Sequence, residues 1–128
     1  MSATDLTTLA SRVEAATAEM QGKMLDEAWE ACAQHSAEFR RFACAYLTSF
    51  GTNAGKFAMA MDAHAYESAA MMLVPEGCGW ELVKRMALGN YAATVKTEGL
   101  YSICPAATPA LALTAACLRA LAGRSDAA

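Results

Sequence analysis

Cys32 and His35 stand three residues apart in a stretch that reads as helix, so a thiolate and an imidazole could face one way and supply two ligands to zinc. A tetrahedral site needs two more, and the candidates are His64 with Cys44, Cys78 or Cys104, none of which makes a second closely spaced pair. His64 and Glu67 are also one helical turn apart, the spacing of a histidine held by a carboxylate for proton transfer. Beside Asp62 the plainer expectation for them is a solvated, charge-paired face. Cys78, set between Gly77 and Gly79, is the thiol placed in an exposed loop, but no neighbouring base marks it as a nucleophile. The eight glycines are dispersed, and no Gly-x-Gly-x-x-Gly or Walker-type loop is present, which disfavours nucleotide chemistry. These spacings support no catalytic residue and no cofactor, and the chain is expected not to be an enzyme.

Composition narrows the remaining classes. The chain has 128 residues with 31 Ala and only 18% charged residues, which suits one globular domain of closely packed helices rather than a disordered segment. Ten basic against thirteen acidic residues leave a net charge of −3, and the basic residues are spread thinly. Non-specific phosphate binding needs a basic surface, so nucleic acid is disfavoured as a partner. Phe39, Phe42, Tyr46 and Phe50 with Arg40 and Arg41 could be drawn as a basic and aromatic nucleic-acid face, yet aromatics at that spacing belong more naturally to a packed interior. Five scattered cysteines with no Cys-x-x-Cys pair predict buried reduced thiols rather than disulfides. Asp5 and Glu14 fall where a signal peptide would be basic and then apolar, so the cytoplasm is the expected location. The uncharged stretch from Gly99 to Leu118 contains two prolines and several hydroxyls, too broken for a membrane span.

The elements that must position these residues follow from periodicity. Leu6, Leu9, Val13, Ala16 and Met20 predict an amphipathic helix within residues 4–34, broken near Gly22. Ser36 caps an expected second helix, whose aromatic stripe runs from Phe39 to Phe50 and stops at Gly51, and residues 51–55 form an expected loop. Helix is expected again over Ala63 to Leu73, ended by Pro75. Trp80 to Arg85 and Tyr91 to Lys96 alternate as a β-hairpin, with Leu100 to Cys104 as a third strand after a turn at Glu98-Gly99. Thr108 and Pro109 open a terminal helix that Gly123 should end, with a frayed tail from Arg124 to Ala128. The fold class is therefore α+β: a helix-rich N-terminal half over residues 1–51, then a helix, a hairpin or three-stranded meander and a C-terminal helix over residues 56–123, in a layered α/β/α arrangement within one domain, 1–128.

Tyr66 to Gly77 (Tyr-Glu-Ser-Ala-Ala-Met-Met-Leu-Val-Pro-Glu-Gly), Trp80, and Ala106 to Leu121 (Ala-Ala-Thr-Pro-Ala-Leu-Ala-Leu-Thr-Ala-Ala-Cys-Leu-Arg-Ala-Leu) together resemble the phage ABA-sandwich domain family and related small phage and prophage proteins. In that family a helix ending in a Val-Pro-Glu-Gly type turn precedes a short sheet and a terminal Ala-Thr-Pro helix. The resemblance covers about the last half of the chain, and Leu9 to Thr17 is similar to the opening helix of such proteins. It implies a fold and a viral origin but no catalytic residue, because its motif residues make turns and packing contacts. Residues 30–62 have no counterpart in the resemblance and are expected to be an insertion.

The expected function is a non-enzymatic protein-interaction protein of phage or prophage origin, binding a host or virion protein or a second copy of itself. The candidate surface is Phe39, Phe42, Tyr46, Met59, Met61, Met71 and Met72, because methionine adapts to irregular cores and to partner surfaces alike. The alternatives are a small zinc-dependent enzyme or regulator using Cys32, His35 and His64, and a nucleic-acid-binding accessory protein.

Overall fold

The structure, a computed structural model, describes residues 3–35, 53–75, 77–97 and 100–127. Helix α1 spans Ala3–Ala15 and buries Leu6, Leu9, Ala10 and Val13, the spacing of a single helical face. Helix α2 spans Gln21–His35 and buries Met24, Leu25, Ala28, Ala31 and Cys32 in the same way. The break between them falls at Ala16 and Thr17 and through a 3-10 turn at Ala18–Met20, not at Gly22. Gly22 lies within the first turn of α2, where a Cβ would stand 3.4 Å from the Tyr66 hydroxyl. That is ordinary van der Waals contact, so Gly22 is a helical residue and marks no break. The expected second helix, with Phe39, Arg40, Arg41, Phe42, Tyr46 and Phe50, lies outside the described residues.

Helix α3 spans Asn53–Asp62, so Asn53 to Gly55 form its first turn instead of the expected loop. Phe57 is buried and stacks on Trp29 of α2 at a centroid separation of 4.3 Å. The expected helix over Ala63 to Leu73 is interrupted: His64 takes φ of 57° and α4 begins only at Tyr66, running Tyr66–Met71. The amide of His64 donates to the Met61 carbonyl and that of Ala65 to the Ala60 carbonyl. These two bonds, with a left-handed residue between them, form a Schellman ending for α3, with histidine where glycine usually sits. After α4, successive 3-10-type bonds from Met72, Leu73 and Val74 tighten the chain toward Pro75.

The sheet follows as β1 (Gly79–Arg85), β2 (Asn90–Thr97) and β3 (Leu100–Ala106), antiparallel in the order β1-β2-β3. The hairpin turn closes with the amides of Leu88 and Gly89 on the Arg85 carbonyl, and Gly89 supplies the positive φ that the turn requires. Leu82, Ala93 and Cys104 lie opposite one another in register and face inward. Val83, Ala92 and Pro105 make the corresponding row on the other face, where Val83 is 55% exposed and neighbouring Ile103 is 64% exposed.

Helix α5 spans Pro109–Ala127. Thr108 caps it as expected, its hydroxyl accepting from the Leu111 amide at 3.2 Å, and Pro109 opens it, where a missing N–H costs nothing. Residues 110–118 are buried without interruption, so α5 is apolar around its circumference. It touches all three strands and also α1, α2 and α4, which places it between the sheet and the other helices. The layers thus run sheet, α5, remaining helices, and the described helices that meet the sheet, α5 and α1, share its inward face. Thr114, polar yet buried, donates to the Ala110 carbonyl at 2.7 Å within its own helix. Gly123 does not end the helix, because it does not take the positive φ by which a glycine stops one, and the expected frayed tail is helical to Ala127. The α+β class, the three-stranded meander and the C-terminal helix agree with the sequence expectation.

Candidate functional site

Cys32, Cys104 and Cys117 are buried and reduced, and Cys78 is half-buried. Burial pushes the Cys32 thiol up to about 12, and it pushes Cys117 well above the ordinary thiol range, with Cys32, Cys78 and Cys104 near enough to add to the shift. Neutral buried thiols are poor nucleophiles, since that role needs the thiolate. His64 is exposed at the end of α3, its ring stacked on Tyr66 with centroids 5.7 Å apart. The zinc candidates are thus placed in unlike surroundings, Cys32 in the core and His64 in solvent. Among the described residues no group of three or more His, Cys, Asp or Glu is arranged to hold a metal ion. The side chain of His35 and all of Cys44 lie outside the described residues.

The expected pairing of His64 with Glu67 loses its basis, because it assumed one continuous helix. His64 instead occupies the left-handed turn that separates α3 from α4. Asp62 and Glu67 are exposed, as a solvated face requires.

Sequence reasoning did not single out the one half-buried ion pair that the described residues show. Arg119 of α5 donates to the Glu14 carboxylate of α1 and, at 3.1 Å, to the Ser11 hydroxyl. The two side chains are only 24% and 19% exposed. Both charges also act on the thiol of Cys104 on β3, which burial, followed by the Glu14 charge, pushes up to about 12. The hydrogen bond that Arg119 donates to Glu14 in turn raises its guanidinium, so this cation stays charged. The arrangement ties α1, α5 and β3 together at one corner. The available signal was Arg119 directly after the buried run of residues 110–118, but its partner is 105 residues away in sequence.

Two open clefts flank this framework. One, of about 530 Å³, lies between α1 and α2 and is lined by Asp5, Arg12, Asp26, Glu27 and Glu30 above a floor of Leu9 and Ala31, with Arg12 reaching across to Glu27 at 3.2 Å. The other, of about 630 Å³, lies at the end of α1 beside Ser11, Glu14, Pro105 and Asn90. The Asn90 side-chain oxygen is covered and makes no hydrogen bond.

The apolar candidates divide clearly. Met61 and Met72 pack against the core, whereas Met59 and Met71 are 59% and 48% exposed. Phe39, Phe42 and Tyr46 lie outside the described residues. The sheet and its turn add exposed apolar groups that the sequence candidates omitted: Trp80, Val83, Met86, Leu88 and Ile103, with Met86 at 80% the most exposed. No described helix is long and apolar enough to cross a membrane. Comparison with protein-family models, with curated proteins and with solved structures finds no match.

Proposed function

We propose that this chain is a non-enzymatic protein-interaction protein of phage or prophage origin, which acts in the cytoplasm of a bacterial host by binding a host or virion protein or by self-association. The observation that carries the binding role is the set of large apolar side chains in solvent on β1, on β3 and on the turn between β1 and β2: Val83, Met86, Leu88 and Ile103. Each exposes apolar area that only a partner would remove from water, and their concentration on one short sheet is what distinguishes a binding surface from scattered exposed residues. Met59 and Met71 add adaptable side chains on the helical side. The viral origin rests on the resemblance of the Tyr66 to Gly77 and Ala106 to Leu121 segments to the phage ABA-sandwich family.

The test is affinity capture with the tagged full chain from a bacterial lysate, with protein, nucleic acid and zinc measured in one eluate. The expected result is a protein in stoichiometric amount, or a second copy of the chain, that is lost when Val83→Lys and Ile103→Lys are combined. An eluate that carries zinc or salt-sensitive nucleic acid, with no protein and no self-association, would overturn the reading.

A further inference from the structure

We propose that the outer edge of β1, which no strand among the described residues pairs, is a dimer seam: two copies pair antiparallel along β1, about a two-fold axis normal to the sheet at Val83, to make a continuous six-stranded sheet. The proposal rests on the protein-binding reading and names the partner as a second copy of this chain.

The two edges of the sheet differ. β3 carries Pro105, which lacks an amide to donate, and α1 packs against that strand. β1 carries no proline, and its seven residues pair with β2 in unbroken register from Gly79 to Arg85, without a bulge to twist the edge away. Five of the seven are exposed. A long, regular, open edge presents a row of amides and carbonyls ready to pair with another strand.

The side chains say which strand fits. On the outward face β1 presents Glu81, Val83 and Arg85, an apolar residue between opposite charges. A two-fold axis normal to the sheet keeps each face on its own side, so residues facing outward meet residues facing outward. With the axis at Val83, the two Val83 side chains meet, and Glu81 of each copy lies opposite Arg85 of the other. Trp80 and Met86, exposed toward the two ends of the same edge, then lie across the seam from each other. Leu82 falls opposite Lys84, so this register brings no like charges together. Glu81 already bonds Lys96 at 3.2 Å within its own sheet, but that pair is more than half exposed on both sides and exchanges readily.

The test is sedimentation velocity of the full chain over a wide concentration range, with Glu81→Arg, Arg85→Glu and their equimolar mixture. The wild type is expected to dimerise reversibly. Each single variant sets like charges against each other twice across the seam and should dimerise about tenfold more weakly. The mixture should recover the lost affinity as a heterodimer, because the two arginines on the seam of one chain then face the two glutamates on the seam of the other. Since the mixture contains the same two proteins, recovery also shows that both variants are folded. A wild type that stays monomeric overturns the seam, whatever the chain captures from a lysate. A dimer indifferent to the substitutions, or a mixture no tighter than its components, overturns it equally.

Discussion

The Thr108 hydroxyl donates to the Gln21 side-chain oxygen at 2.9 Å, joining the start of α5 to the start of α2 across 87 residues of sequence. The same hydroxyl oxygen caps α5 by accepting from the Leu111 amide, and the Gln21 amide group donates to the Ala18 carbonyl. One hydroxyl thus fixes both where the central helix begins and how the N-terminal turn meets it.

Thr108→Val keeps the shape and removes both bonds, so it should cost about 1–2 kcal/mol of stability, a lost cap together with an unpaired amide oxygen. Thr108→Ser should retain most of that. Denaturant unfolding checks both, and a neutral Thr108→Val would show that the cap is not coupled to Gln21.

His64 offers a change of the opposite sign. A non-glycine residue at φ of 57° is unfavourable, and glycine is the usual residue at the position that ends a Schellman motif. His64→Gly is expected to raise stability by a few tenths to about 1 kcal/mol, and His64→Val to lower it by at least as much. If His64→Gly destabilises by more than the flexibility of glycine explains, the Tyr66 stacking would outweigh the backbone strain.

At the corner of α1, α5 and β3, removing one charge leaves the other half-buried beside Cys104. Arg119→Met and Glu14→Gln should each cost about 1–3 kcal/mol, and the double variant should cost less than the sum. A double-mutant cycle by chemical denaturation measures that coupling; strict additivity would mean the pair is a bystander.

The buried thiols set an alkaline limit. Cys32 and Cys104 have folded values raised from 9.0 to about 12, so both states keep these protons below pH 9 and burial then carries no titration penalty. Between these values the unfolded chain releases protons that the folded one holds, so stability must fall as pH rises from 9 toward about 12. Urea unfolding across that window should show the fall, and Cys32→Ala should make it shallower. At neutral pH, Cys78 should react with a thiol reagent ahead of Cys32, Cys104 and Cys117.

What the sequence could disclose follows from how local each cause was. Thr108-Pro109, Pro75 and the alternation from Trp80 to Lys96 act within a few residues, and the structure uses each as its local chemistry requires. Glycine misled twice, because its meaning depends on surroundings: Gly22 and Gly123 both sit within helices. The helix end at His64 was hidden because histidine is not a usual residue for a left-handed turn. The site was less legible than the fold. Periodicity could mark Met59, Met61, Met71 and Met72 as apolar, but which of them face solvent depends on where α2, α4 and α5 pack. The Glu14 to Arg119 pair is a contact between distant segments, which no spacing rule reaches.

Association of this molecule through its sheet is tested most directly by amide hydrogen exchange along β1 as a function of protein concentration. The edge-facing amides of Gly79 to Arg85 should gain protection as concentration rises, while those of α5, already buried, do not change. Edge amides that exchange at the same rate at every concentration, with or without host lysate added, would contradict it.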